Sequence, residues 1–362
     1  MKNKQYVVYS IVVAILTALV YLQFRTWRNF DWALLLQFHL HWWHIFHATA
    51  LIYFAYLLRA VRWKIFLRPL REEASGVRRI MRWVESMWGL VPPTLIGFTG
   101  LALLGRPGEL IRPYLIARRE NLSVASQVAV WAVERIFDIG GFTVILVAAI
   151  FLPSKLHAFA LAAPYAVKHW IYLTGYMLIV LVLGLLTAAV AMAYRGNRMA
   201  QWVEERFSHL AENLGHRIAQ KIREFTGGLD TIHGPLAFLE LSAVSVLMWW
   251  VIALSYKEVT SAYGVVMHEM STTRVLLLMG SSMIGSMVQL PGVGGGSQLG
   301  TITAMDHVFH VPKELAVSCG IMLWLVSFVT VVPTGLVLTH LERLSLRKLS
   351  AESAEAEKAA GD

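Results

Sequence analysis

The sequence predicts an all-α polytopic membrane protein, with about six full spans and two re-entrant hairpins arranged as an inverted repeat. Three observations carry that prediction. Hydrophobic residues make up 57% of the 362 residues and charged residues only 15%, against about 25% charge in a soluble domain. Apolar runs of about 20 residues recur, each long enough for a hydrocarbon core of roughly 30 Å. Two of these runs are interrupted by Pro and Gly in mid-course. A mean hydropathy of +0.56 agrees with a lipid solvent. The single cysteine, Cys319, rules out an intrachain disulfide scaffold.

Taken in order, the first run is Tyr6–Phe24. It follows Lys2 and Lys4, and its length and the lack of a small-x-small site favour a retained helix over a signal peptide. His44–Leu58 comes next, extended at its ends by Trp42, Trp43 and Trp63, as expected for indoles at membrane interfaces. Trp83–Leu104 is broken at Pro92-Pro93 and loosened by Gly97 and Gly100. Val124–Leu152 and Trp170–Tyr194 read as full spans, as do Leu236–Tyr256 and Leu315–Leu341. Val275–Ile302 is broken at Pro291 and the glycines that follow.

Basic residues orient these runs. Arg59–Arg82 holds eight, Arg195–Pro235 six, Arg106–Ser123 four and the tail after Leu341 four. Lys and Arg concentrate on the cytoplasmic face. All four segments share that face only if Trp83–Leu104 enters and leaves by it, and Val275–Ile302 then re-enters from the opposite face. With Lys2 and Lys4, that layout puts 24 basic residues inside and 7 outside, with Arg135 within a span. The alternative, eight full spans, strands Arg106–Ser123 outside. Irregular backbone at membrane depth requires cover from protein or a water-filled cavity. Residues 1–341 therefore read as one integral-membrane domain, with halves of about 1–152 and 170–341 in opposite orientation. Such inverted repeats place transporter sites near broken helices. Residues 195–229 carry apolar residues at three-to-four spacing and read as a cytoplasmic amphipathic helix, either on the membrane surface or against loops. The Ala/Glu/Lys/Ser-rich tail, 342–362, reads as a disordered cytoplasmic segment. Both termini lie in the cytoplasm in this layout.

Chemistry-bearing residues cluster in three places. Glu134, Arg135 and Asp138 sit inside one span, each costing several kcal/mol in lipid unless paired or wet. Glu134 and Asp138 share a helix face at i,i+4, with Arg135 beside them at i,i+3 to Asp138. They form either a structural ion-pair cluster or a polar substrate or proton site. Arg106, Glu109 and Arg112 recur every third residue, along one side of a short helix that Pro107 suits at its first turn. Gly105 and Gly108 permit close backbone approach. Guanidinium forks match phosphate oxygens, so an anionic or phosphate-bearing lipid is the expected partner; Arg118 and Arg119 fit the ordinary positive-inside excess. The third cluster is Gly292, Gly294, Gly295, Gly296 and Gln298, whose backbone N–H groups either meet a headgroup or merely turn the chain. The pairs Ser281/Gly285 and Ser282/Ser286 suit close helix packing. His39, His41, His44 and His47, beside Trp42 and Trp43, read as an interfacial belt rather than a metal site. Nothing matches a nucleotide loop or an enzyme's nucleophile set, so neither a cofactor, catalysis nor nucleic-acid binding is expected. The net charge of +9 is chiefly an orientation signal.

The run Gly105–Leu115, with Leu122-Ser123 and Val133-Glu134-Arg135-Ile136-Phe137-Asp138, resembles a flippase-like integral-membrane family. That family is related to the transmembrane region of lysylphosphatidylglycerol synthase, the multiple peptide resistance factor. The resemblance covers about residues 6 to 341. It implies a multi-pass protein of the bacterial or archaeal inner membrane that moves a phospholipid or polyprenyl-phosphate-linked lipid between leaflets. The motif residues carried over are Arg106, Gly108, Glu109, Arg112, Glu134, Arg135 and Asp138. In the second half the family's Pro-Gly-Gly-x-Gly stretch commonly leads into an Arg-Glu-type pair, whereas here Ser297-Gln298 follows. Gln298 does not titrate. Only a short tail follows Leu341 in this sequence, so lipid aminoacylation by this chain alone is not expected. The alternative function is an accessory protein that presents a lipid to a separate glycosyl- or aminoacyl-transferase.

Overall fold

The computed structural model describes residues 40–68, 77–105, 108–152, 234–264, 267, 270–286 and 295–361, most of 172–187, and single positions between 165 and 202. The expected span Tyr6–Phe24, nearly all of the amphipathic helix 195–229, and the ends of Trp170–Tyr194 lie outside them. The described residues are helical throughout, with no strand.

Among the described residues, three helices are long and apolar enough to cross a membrane: Trp42–Leu67, Leu236–Ser261 and Lys313–Leu341. The first, α1 (Trp42–Leu67), has 26 residues, or about 39 Å at 1.5 Å per residue. It continues past the expected extension to Trp63 because Ile65, Phe66 and Leu67 prolong its buried stripe. A hairpin follows, made of α2 (Val77–Leu104) and α3 (Ile111–Glu120). Next, α4 (Val124–Phe151) begins at Ser123, whose hydroxyl accepts the Ser126 amide at 3.2 Å. An apolar helical stretch, Gly175–Leu185, precedes α5 (Gly234–Ser261). A second hairpin joins α6 (Thr272–Ser286) to α7 (Gly296–Thr303). Then α8 (Lys313–Trp324) passes through a π turn, Leu325–Val329, into α9 (Val331–Leu341). Pro333 has no amide to continue the α ladder across this junction. The last element is α10 (Leu346–Gly361).

Helices α1 and α5 form the axis of the molecule and run antiparallel. Arg68 pairs with Glu240 at one end, at 2.8 Å, and His44 with Glu258 at the other, at 2.6 Å. Trp42 and Trp43 are exposed at the histidine end. On α5 lies α4, where Gly141 abuts the Ser245 backbone and Phe142 meets Trp249. The α8–α9 rod meets α1 around its π turn, where Tyr53 donates to the Thr330 carbonyl at 2.7 Å and Tyr56 to that of Ser327 at 3.2 Å, while α9 packs along α2 with Gly335 against Thr99. One large apolar core runs across these contacts, from Ile52 and Tyr56 through Phe142 and Tyr256 to Leu323.

Two expectations change. Trp83–Leu104 does not turn at Pro92-Pro93, because α2 continues through both prolines. Gly89 removes a side chain from the turn that the Pro93 ring would crowd, and Thr94 donates to the Leu90 carbonyl at 2.8 Å. Reversal comes at Gly105, in the left-handed region at φ 68°, where glycine carries no Cβ penalty. From there α3 packs back along α2, with Gly97 against Arg112 and Gly100 against Gly108 and Ile111. The tail is also ordered as helix, not disordered. Leu349 is buried against Ile96, Ile111 and Leu115, and Tyr114 donates to Glu352 at 3.0 Å. Burial and that carboxylate hold the Tyr114 phenol above its ordinary pKa. One leucine per two turns was too sparse a signal to reveal an apolar face.

The second interrupted stretch does fold as a helical hairpin. Gly285 abuts the Gly296 carbonyl and Gly300 abuts that of Ser281, so a side chain at either glycine would strike backbone. The small residues read from the sequence thus permit this approach.

Candidate functional site

The site grows from one face of α4. At i,i+4 the carboxylates of Glu134 and Asp138 point the same way, into a space closed by α1, α2, α3 and α5. Both are buried, and two charges in a protein interior require close, well-made partners. Arg62 of α1 supplies the central one. Its Nη1 donates to Asp138 Oδ1 at 2.7 Å and to Ser245 Oγ at 3.0 Å, while Nη2 donates to Glu134 Oε1 at 2.5 Å. The Arg62 side chain is 0% exposed. From the hairpin, Arg112 adds a fork on Glu134, through Nη1 to Oε1 at 3.1 Å and through Nη2 to Oε2. Trp63 and Phe98 lie on the guanidinium face, at 4.5 and 5.2 Å. Trp63 is itself fixed by donating to Gln127 at 3.1 Å.

Two more arginines stand beside this lock, Arg135 half-exposed and Arg59 largely buried. Arg135 Nη2 lies 2.9 Å from Asp138 Oδ2, yet its side chain is 44% exposed. Arg59, one turn before Arg62, approaches Asp138 Oδ2 only to 3.6 Å, and its Nη1 makes no hydrogen bond. Four guanidinium groups therefore face two carboxylates, an excess of two positive charges. Glu109 nearby lowers it only to one.

Cavities open on either side of Phe98. A small one is lined by Glu109, Arg112, Trp131 and Arg135. A larger cleft is lined by Arg59, Tyr56, Trp249 and Tyr256. Ser282, Ser286 and Ser297 of the second hairpin complete it. A narrow extension reaches Gln298 and Thr301. Phe98 lines both main cavities and stacks at 4.8 Å from the Arg59 guanidinium.

The structure thus brings together Glu134, Arg135, Asp138 and Arg112, with Glu109 at the rim. Helix α3 starts only at Ile111, so Glu109 precedes it in a turn. Gly108 serves packing, against Gly100. Gly295 caps α7, Gly296 packs on Gly285, and Gln298 reaches the cleft's extension. Arg106, Gly292 and Gly294 lie outside the described residues. Sequence reasoning counts Arg59 and Arg62 with a cytoplasmic basic segment, whereas the structure brings both to the site. Their i,i+3 spacing, in register with Tyr56, Trp63 and Phe66, was the available signal. Among the described residues no His, Cys, Asp and Glu group is arranged to hold a metal ion.

Helices of membrane-crossing length around a buried arginine–carboxylate cluster define an all-helical integral membrane protein with a charged site in its interior. The chain belongs to the family described as the lysylphosphatidylglycerol synthase TM region, whose model matches residues 7–335. No curated protein and no solved structure matches it. Membership supports a membrane location and a lipid-related function.

Proposed function

We propose that the protein moves a phospholipid or polyprenyl-phosphate-linked lipid between the leaflets of a bacterial or archaeal inner membrane. The observation that carries this reading is the excess of guanidinium over carboxylate at the boundary of two cavities. Buried cations without enough counter-charge are costly, and a lipid phosphate is the anion that supplies the balance. Arg135 at the small cavity would gather the phosphate, and Arg59 would receive it at the larger cleft. The apolar cleft walls suit the lipid's proximal chains.

Both carboxylates are held as acceptors by arginine. That suits electrostatic placement of a headgroup and not general-base chemistry, so the lipid passes unmodified in this reading. An inverted repeat is supported by how the elements pair. The first half offers α1, the α2–α3 hairpin and α4, and the second offers α5, the α6–α7 hairpin and α8–α9. While α4 packs on α5, the π turn of the α8–α9 rod meets α1, which is in keeping with an exchange of halves. The charge distribution supports cytoplasmic termini, since Arg68–Glu240 and Arg119–Glu342 lie on the basic side.

The test is headgroup movement in vesicles reconstituted with the full chain and a fluorescent phospholipid. Arg59→Gln and Arg135→Gln should each slow movement by about tenfold or more, the equivalent of one charged hydrogen bond. Their melting should be nearly unchanged. Lipid that binds without moving would instead support presentation to a separate lipid-modifying transferase.

A further inference from the structure

The large cleft holds more polar groups than phosphate recognition needs, and their chemistry is one-sided. Among the described residues that line it, Arg59 is the only charged one, and none that lines the cleft or its extension is acidic. The nearest carboxylates, Glu134 and Asp138, are already taken up by Arg62 and Arg112. Opposite Arg59 stand uncharged donors and acceptors. Tyr256, Ser282 and Ser297 belong to the wall shared by the cleft and its extension. Gln298 is 4% exposed, lines the extension, and leaves Nε2 without a hydrogen-bond partner. Trp249 likewise leaves its indole N–H unpartnered on the cleft wall. Unsatisfied buried donors are costly in a native interior, and a ligand that accepts from them relieves that cost.

We propose that this cleft is a headgroup-selecting site for phosphodiester lipids bearing uncharged hydroxyls, either glycerol or sugar, and that it discriminates against amine headgroups. The proposal rests on the translocation reading above. Phosphate sits at Arg59, and the polyol reaches toward Tyr256, Ser282, Ser297 and Gln298. Hydroxyls both donate and accept, matching carboxamide and hydroxyl partners. An ammonium only donates and requires an anion or a set of carbonyls. Placed here, it would meet Arg59 and the donor N–H groups of Gln298 and Trp249 with no counter-charge.

The experiment uses the full chain in detergent, with radiolabelled short-chain phosphatidylglycerol displaced by unlabelled phosphatidylglycerol or phosphatidylethanolamine. Phosphatidylglycerol should compete about tenfold better, and Gln298→Leu should bring the ratio toward one. Gln298→Glu should shift preference toward the ethanolamine lipid. Should either variant fail to fold, the wild-type ratio alone decides. Equal or better competition by phosphatidylethanolamine overturns the proposal. Vesicle transport separates the two readings. Selective binding without movement refutes translocation and leaves the selecting site standing, whereas equal movement of both headgroups refutes selection and leaves translocation standing.

Discussion

Replacing Arg62 with methionine keeps most of the side-chain length on α1 but removes the central cation of the cluster. Three hydrogen bonds vanish, two of them to ionised carboxylates and one to Ser245. Breaking a buried ion pair by deleting one partner costs about 3–5 kcal/mol, because the other charge is left behind. Here the remainder is partly covered. Glu134 keeps Arg112, and Asp138 keeps Arg135. The expected loss therefore falls near the lower end, at about 3 kcal/mol. Arg135→Gln provides the contrast. Its side chain is 44% exposed, so its pairing is screened and worth less than about 1 kcal/mol. Thermal unfolding in nanodiscs, followed by intrinsic fluorescence, reads both. Arg62→Met should melt well below wild type and Arg135→Gln close to it. Pairing Arg62→Met with Glu134→Gln should recover part of the loss, since the double variant no longer strands that charge. Equal melting of Arg62→Met and wild type would refute the division between a structural lock and the arginines beside it.

The remaining predictions concern the hairpins, the tail and the aromatic wall. Gly285→Val drives a side chain into the Gly296 carbonyl and should destabilise by about 1–3 kcal/mol as an overpacking change, seen as a lower melting point. Leu349→Ala removes the apolar anchor of α10 from Ile96, Ile111 and Leu115. Amide exchange should rise across Leu346–Gly361, with little change in α1. Phe98→Ala removes the ring shared by both cavities and should alter the lipid movement rate by more than it alters melting; an unchanged rate would deny Phe98 a place on the path.

Much of this was legible beforehand, for physical reasons. Carboxylates at 134 and 138 declare a shared face through helical periodicity alone, and burial in an apolar span demands partners. The partners were harder to find. Arg59 and Arg62 read as part of a basic segment because charge counting treats every arginine past an apolar run as solvated. Only the packing of Ile65, Phe66 and Leu67 shows how far α1 goes on. The glycine-closed hairpin at Gly285 and Gly296 was readable from its small residues. The proline pair in α2 was not, because a proline's effect depends on what stands four residues earlier and on local carbonyl donors such as Thr94. The reversal moved to Gly105, where a positive φ selects glycine. Docking of α10 depends on a surface built by α2 and α3, a long-range fact that no local pattern announces.

The most direct measurement is the rate of phospholipid exchange between leaflets in vesicles carrying the wild-type chain, Arg59→Gln or Arg135→Gln, beside protein-free vesicles. Lipid translocation through the arginine cluster predicts movement well above the protein-free rate for wild type, with a fall of about tenfold or more in each variant at nearly unchanged melting. A wild-type rate no faster than bare lipid, or variants that match wild type, would contradict it.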